Sequence, residues 1–224
     1  MSSESKGPYR LGGISFIVSG VLFLLKGLFD LMAGTPPANG AEILAWAASA
    51  RVPLAMTNEA LFIAAVFLVP GVIALYSSLA GVEQTKAAVG CGLIAVVIPV
   101  IAAIDIVHGR LVYPVYGILT GTPAVAELVA GIYYGGLHAI LLLMGVATIV
   151  LGLAMRRGAY GRNVAYLGIA TGVVDIIGSY PWLIGPVLVL VSQAFFAAWF
   201  VAVGAKLYRM PRVSPNATPM TSGG

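Results

Sequence analysis

Ten polar or aromatic side chains lie within, or at the edges of, long apolar stretches of this sequence. A charge at the centre of a bilayer costs about 2.5–3.5 kcal/mol on insertion scales, and such residues normally face the interior of a helical bundle. Each is therefore a candidate for ligand binding or for proton relay. The ten candidates are Lys26, Asp30, Glu59, Asp105, His108, Glu127, Tyr134, His138, Asp175 and Gln193.

Helical spacing places several of these side chains on shared faces. Lys26 and Asp30 are four residues apart, so they can pair on one face, either at a site or as a self-neutralised structural pair. Glu127 and His138 are eleven apart, which is three helical turns, and Tyr134 lies between them on the same stripe. The spacing therefore predicts polar stripes that face inward and meet in a pocket.

Asp105 and His108 are three residues apart and predict a local pair. Such a pair serves as a proton relay, as part of a metal site or as a simple ion pair. The chain has only two histidines and one cysteine, Cys91, and they form no cluster with the spacing of a zinc site. No nucleotide-binding or hydrolase motif is present either. The sequence thus predicts neither a metal nor a cofactor.

Asp175 lies near the middle of its apolar stretch and has no opposite charge near it in sequence. It must find a partner on another helix, such as Lys26 or His138, or be protonated and hold helices together. Gln193 is also deep in its stretch, and a glutamine there bonds either a neighbouring helix or a ligand.

The elements that carry these residues are predicted from composition and length. Hydrophobic residues make up 60% of the 224 residues and charged residues only 9%, against about 25% charged in a typical soluble domain. About 20 apolar residues cross a bilayer as a helix. Six stretches qualify, and they predict an all-α, polytopic bundle of six transmembrane helices: Leu11–Ala33, Pro53–Leu79, Ala87–Val107, Glu127–Ala154, Val164–Trp182 and Pro186–Tyr208.

Basic residues predict how the bundle is oriented, because cytoplasmic loops of membrane proteins are enriched in Lys and Arg. With the N-terminus inside, nine basic residues are cytoplasmic and only Arg51 and Arg110 are outside. The sequence thus predicts a multi-pass protein of the cytoplasmic membrane with both termini in the cytoplasm. Residues 1–10 form a short tail, residues 11–208 the membrane domain and residues 209–224 a disordered tail. The excess of basic residues indicates contact with anionic lipid rather than nucleic acid.

Two smaller features are also predicted. Ala41–Ala50 is expected to form a short interfacial helix anchored by Trp46. Gly131 and Gly135, one helical turn apart, are expected to permit close helix contact.

The start of the first span, Tyr9–Ile14 with the sequence YRLGGI, precedes a run of Val, Leu and Phe. It resembles the start of a family of uncharacterised prokaryotic multi-pass membrane proteins, which are similar in length and number of spans. The resemblance implies a location in the cytoplasmic membrane and a compact helical bundle. It carries over no functional residue.

Three functions remain open on this pattern. In the first, an outward-facing polar pocket binds, or also transports, a small molecule or a proton-coupled solute. In the second, the chain is a structural or accessory subunit, with a membrane-protein partner or a second copy of itself. In the third, Glu59 and Asp175 act as acid and base on a lipid or isoprenoid. Because no nucleophile is recognisable, such an enzyme is expected to catalyse an acid–base isomerisation or cyclisation. The first function is favoured over the other two. Membrane lipids are expected partners in every case.

Overall fold

The chain is helical throughout almost all of its described length. The structure, a computed structural model, describes residues 7–119 and 121–210, and 86% of these residues are helical with no strand among them. The predicted tails therefore lie largely outside the described residues. The helices are α1 (Gly7–Ala33), α2 (Gly40–Ser49), α3 (Arg51–Gly109), α4 (Pro123–Met155), α5 (Arg162–Gly178) and α6 (Pro181–Arg209).

Four helical segments are long and apolar enough to cross a membrane, which confirms the prediction of a helical membrane protein at that level. Many of their large apolar side chains are exposed, for example Ile73 on α3 and Leu128 on α4. Such apolar surfaces are what a lipid environment accommodates. The four segments are Gly7–Ala33, Arg51–Gly109, Pro123–Met155 and Val187–Arg209.

The 59-residue helix α3 is broken at Glu83, whose φ of −144° and ψ of 66° are not helical. Asn58 lies 25 residues before Glu83 and His108 lies 25 residues after it, and their side chains are joined by a 2.7 Å hydrogen bond. The two halves, residues 51–82 and 84–109, therefore run antiparallel. The break falls inside the turn that the sequence predicts between its second and third spans.

The carboxylate of Glu83 fixes this turn. It accepts hydrogen bonds from Lys86 at 2.8 Å and from Arg157 at 3.1 Å. The hydrogen bond from Lys86, followed by the charges of Lys86 and Arg157, holds the pKa of Glu83 below its usual value. The turn of α3 is thus tied to the segment that follows α4, at the end of the bundle that we call the Glu83 end.

The helices pack in a closed ring. The order around it is α1, residues 51–82, residues 84–109, α4, α5 and α6, and α6 returns to α1. Among the described residues, the backbone of α1 does not approach that of α4 or α5, and α4 meets α6 only through side chains near the α2 end, where His138 packs on Trp182. The ring therefore encloses a central space that side chains fill or leave open.

Glycines bring α1 and α6 together along one face. Gly13, Gly20 and Gly27 are seven residues apart, so they lie on the same side of α1. A Cβ at Gly13 would lie only 2.6 Å from the carbonyl oxygen of Gly204, and one at Gly20 would lie 3.0 Å from that of Ala197. The backbones of α1 and α6 approach this closely only because these positions lack side chains.

Glycine also sets the contact between α4 and α5, but at other positions than predicted. Gly145 and Gly152, again seven apart, lie against the backbone of Gly172 and Ala165. Gly131 and Gly135 make no close helix contact within this chain, because no neighbouring atom lies within 4 Å of a Cβ at either position. Both glycines are exposed, so this face of α4 points away from the ring, and a contact there with a partner stays a prediction.

The short helix α2 is present where the sequence predicts it, and it lies at the opposite end of the bundle from Glu83. Asn39 caps its N-terminus by accepting a 2.9 Å hydrogen bond from the backbone of Glu42. The indole of Trp46 donates a 2.7 Å hydrogen bond to the carbonyl of Ala33, the last residue of α1. We call this end of the bundle the α2 end.

Apolar side chains fill the middle of the ring below the α2 end. Phe16 stacks on Phe200 with ring centroids 5.0 Å apart, and Phe196 meets Phe200 edge to face at 4.4 Å. Phe23 packs on Phe196 at 5.1 Å. With Trp199, which is fully buried, these rings close the centre of the bundle.

Candidate functional site

A cavity of about 460 Å³ occupies the centre of the ring toward the α2 end. All six helices contribute to its wall. Most of the wall is apolar, with Phe23 and Phe196 as part of its floor, and its volume is in the range of pockets that hold drug-sized molecules. Five of the ten candidates line it, namely Lys26, Asp30, Tyr134, His138 and Gln193.

The strongest electrostatic feature of the cavity is the ion pair between Lys26 and Asp30. Their side chains are 2.5 Å apart, as the four-residue spacing predicts. Thr57 of α3 donates a second hydrogen bond to Asp30 at 3.0 Å. Lys26 is only 4% exposed, so its ammonium group depends on this pair for compensation. Of the described residues that line the cavity, these two alone are charged, so the described part of its wall has no net charge.

His138 presents one nitrogen for a ligand. Its Nδ1 lies 2.7 Å from the carbonyl oxygen of Ser179, and because a carbonyl only accepts, Nδ1 carries the proton. In the neutral ring, Nε2 is then a hydrogen-bond acceptor. The ring packs against Tyr180 and Trp182 of the α5–α6 junction, with centroids 4.8 and 5.3 Å away. These contacts fix the orientation of the imidazole.

Gln193 and Tyr134 supply the uncharged polar groups of the wall. Gln193 is 7% exposed, and its side-chain carbons lie 3.2 Å from where a Cβ of Gly27 would stand. Within the described parts of the chain, neither the amide of Gln193 nor the hydroxyl of Tyr134 makes a hydrogen bond. Their hydrogen-bonding capacity is therefore available to a ligand.

Sequence reasoning missed two tryptophans as parts of the site. Trp46 of α2 and Trp182 at the start of α6 both line the cavity near the α2 end. From the sequence, Trp46 is expected only to anchor an interfacial helix. The position of Trp182 at the end of the predicted fifth span, just before the next span, was the available signal for a cavity there.

Two candidates instead hold the α2 end together. Glu59 accepts a 2.9 Å hydrogen bond from the phenol of Tyr113, in the segment after α3. Burial, and next this hydrogen bond, raise the pKa of Tyr113 above its usual value, so the phenol keeps its proton and donates. Glu127 accepts a 2.7 Å hydrogen bond from the backbone of Gly40 and so fixes the N-terminus of α2 on α4. Neither carboxylate lines the cavity.

Asp175 is fully buried between α5 and α6. Its partner is neither Lys26 nor His138 but Ser192 of α6, which donates a 2.5 Å hydrogen bond to Oδ1. Its other oxygen has no hydrogen-bond partner in the described residues. Asp175 does not line the cavity. It therefore does not share a cavity with Glu59, as an acid–base pair acting on one substrate would require.

Asp105 and His108 lie in a second buried polar region, between α3 and α4. His108 bonds Asn58 rather than Asp105, and its ring stacks on Tyr133 with centroids 3.8 Å apart. Oδ1 of Asp105, Nε2 of His108 and the hydroxyl of Tyr133 have no hydrogen-bond partner among the described residues. The region does not bring its acidic and imidazole groups together as a metal site, and no group of three His, Cys, Asp or Glu suited to a metal occurs in residues 7–119 and 121–210.

The described lining of the cavity combines a few polar groups with a largely apolar wall. Its polar groups are one neutralised ion pair, an imidazole nitrogen, an amide and a phenol, set in an apolar wall. No protein-family model, curated protein or solved structure matches the chain. The resemblance of the first span to a prokaryotic membrane-protein family therefore stays a prediction, and function is argued from the cavity.

Proposed function

We propose that this chain is a six-span protein of the cytoplasmic membrane that binds a small molecule in the cavity at its α2 end, which faces outward. The observation that carries the proposal is the convergence of Lys26, Asp30, Tyr134, His138 and Gln193, from three helices, on one cavity. Charged and amide side chains in membrane helices cost free energy of insertion unless they are paired with another polar group or bind a ligand.

The six spans are α1, the two halves of α3, α4, α5 and α6. The fold-back at Glu83 supports the counting of α3 as two spans. The basic residues support this orientation, since seven of those that the structure describes lie at the Glu83 end of the spans and two at the α2 end. The seven are Arg10, Lys86, Arg156, Arg157, Arg162, Lys206 and Arg209. Lys6 and Arg212, which the sequence also predicts to be cytoplasmic, lie outside the described residues.

Single-cysteine labelling tests this topology. Cys91, the one native cysteine, is buried and is first replaced by alanine. Thr35→Cys at the α2 end should react with a membrane-impermeant maleimide in intact cells, whereas Ala159→Cys at the Glu83 end should react only after the membrane is opened. Both positions are exposed in the structure. The reverse pattern would place the cavity on the cytoplasmic side.

The geometry supports binding rather than passage. Below the cavity the bundle is closed by Phe16, Phe23, Phe196 and Phe200, which pack on one another. Transport requires a second route through this core, and its side chains are close-packed. A ligand held at the α2 end therefore stays in contact with the outer side.

Tryptophan quenching measures occupancy of the cavity. Trp46 and Trp182 line it, whereas Trp199 is fully buried outside its wall and provides a constant background. With the protein in lipid nanodiscs, ω-bromodecanol should quench the two lining tryptophans in a saturable manner. The triple variant Leu137→Phe/Leu141→Phe/Val189→Phe, which adds volume at three positions of the wall, should lose the saturable component.

A matched control carries the same three kinds of substitution on the lipid-facing surface. Leu128→Phe/Leu153→Phe/Val146→Phe changes exposed residues that do not line the cavity. Its tryptophan quenching should remain saturable and should reach half of its maximum at the same concentration of ω-bromodecanol as in the wild-type protein. If the cavity triple variant and this control respond alike, the probe binds at the lipid surface and the proposed function is wrong.

A further inference from the structure

We infer that the ligand of this cavity is an uncharged amphiphile, with an apolar body and one polar group that both accepts and donates hydrogen bonds, such as an alcohol. The inference rests on the proposed function and deepens it, because it names the chemical class that the cavity selects. Three independent features of the wall lead to it: its apolar surface, its lack of net charge and its unpartnered polar groups.

The apolar surface requires an apolar body. Apolar side chains of three helices, α3, α4 and α6, line the cavity, among them Leu61, Ile101, Ile140, Met144 and Phe196. Burial of apolar surface contributes about 25 cal/mol for each Å² removed from water. A polar body would lose its hydration against this wall without forming hydrogen bonds in return.

The balance of charge excludes an ion. Lys26 and Asp30 are the only charged residues among the described residues of the lining, and they neutralise one another at 2.5 Å. An anion must compete with Asp30 for Lys26, and a cation must compete with Lys26 for Asp30. Either ion also leaves water for a largely apolar cavity, where an unpaired charge is strongly disfavoured. The wall therefore favours a ligand without net charge.

The unpartnered polar groups require both a donor and an acceptor on the ligand. Gln193, which is 7% exposed as a residue, lines the cavity, and its amide makes no hydrogen bond within the described residues. The ammonium group of Lys26 has three N–H donors, and Asp30 accepts from one of them. The remaining donors can bind an acceptor on the ligand. With Nδ1 donating to the carbonyl of Ser179, Nε2 of a neutral His138 ring would accept a hydrogen bond from a donor on the ligand. A hydroxyl group meets both demands, whereas an ether or a hydrocarbon does not.

Four brominated probes with the same ten-carbon chain separate these features: ω-bromodecanol, ω-bromodecanoate at alkaline pH, ω-bromodecyl trimethylammonium and bromodecane. The protein is held in nanodiscs, and binding is the saturable quenching of Trp46 and Trp182, expressed per mole of bilayer lipid. The alcohol should bind at least about tenfold more tightly than the other three, because only it satisfies the buried groups without a net charge.

A second measurement tests whether a residue of the cavity wall, Gln193, causes the preference for the alcohol. Gln193→Met keeps the size and removes the amide, and it should weaken binding of the alcohol about fivefold, as loss of one hydrogen bond does, while binding of bromodecane stays unchanged. The exposed Ser49, which lies outside the cavity, provides Ser49→Ala as a control that should alter neither.

The outcomes distinguish this inference from the proposed function. Equal saturable binding of all four probes, or tighter binding of an ion, overturns the inference and leaves a binding cavity. Tighter binding of bromodecane shows that the polar groups are structural and also overturns it. Saturable quenching by none of the four contradicts the proposed function itself.

Discussion

Gly13→Leu is expected to unfold the bundle, because no side chain fits between α1 and α6 at this position. A Cβ there would lie 2.6 Å from the carbonyl oxygen of Gly204 and 2.7 Å from the backbone nitrogen of Tyr208. Both neighbours are backbone atoms, which cannot move aside as the end of a flexible side chain can. Overpacking usually lowers the free energy of unfolding by about 1–3 kcal/mol, and we expect Gly13→Leu to lower it by about 3 kcal/mol or more.

The measurement is the unfolding transition in detergent or nanodiscs, together with the fraction of protein that stays monodisperse. Gly92→Leu is the matched control, since it makes the same change at an exposed glycine of α3 where a Cβ has no neighbour within 4 Å. It should change the free energy of unfolding by less than about 1 kcal/mol. Equal behaviour of the two variants would show that α1 and α6 do not approach as closely as the structure places them.

This contact shows what the sequence can predict about packing and what it cannot. The spacing of seven between Gly13, Gly20 and Gly27 is visible in the sequence and indicates one flat helix face. The pair Gly131 and Gly135 has an equally good helical spacing, yet it faces away from the ring. Spacing defines a face, but the order of helices around the ring decides whether that face meets a neighbour.

The same distinction explains the outcome for the candidate site. The pair of Lys26 and Asp30 depends only on positions within one helix, and it forms as the spacing predicts. The partners of Asp175 and His108 depend on which helices are neighbours, and these are Ser192 and Asn58. Helix-face arguments thus identify buried polar groups such as Asp175 and His108, but they also select the exposed Glu59 and Glu127 and do not tell a cavity from a helix–helix contact.

The two tryptophans of the cavity were missed for a related reason. Trp46 reaches the cavity because α2 packs on α3 and α4 and its indole bonds the carbonyl of Ala33. Trp182 reaches it because α5 ends at Gly178 and α6 is interrupted at Gly185, where φ is +76°. Neither position follows from the periodicity of a single span. Both positions follow from breaks between or within helices, and these breaks determine where the ring of helices opens into a cavity.

Asp30→Asn is expected to destabilise the protein by about 3 kcal/mol, since it leaves the ammonium group of Lys26 buried without its partner. The substitution retains the size of the side chain and an oxygen that can accept the hydrogen bond of Thr57. The side chain of Lys26 is 5% exposed, so water reaches it poorly. The midpoint of unfolding in nanodiscs measures the effect.

Lys26→Met is expected to cost less, about 1 kcal/mol, because the carboxylate of Asp30 is 33% exposed and keeps its hydrogen bond from Thr57. The double variant Lys26→Met/Asp30→Asn removes both charges and should recover most of the stability that Asp30→Asn loses. Equal costs of the two single changes would show that Lys26 is solvated rather than buried.

The double variant also separates the structural role of the pair from its role toward a ligand. Because it should fold, its binding of ω-bromodecanol reports only on the contact that the ammonium group makes with the probe. If Lys26 donates to the hydroxyl of the ligand, binding should weaken by about tenfold, as for a hydrogen bond to a charged group. Unchanged binding would assign the pair to the stability of α1 alone, and it would leave His138 and Gln193 as the polar groups that select the ligand.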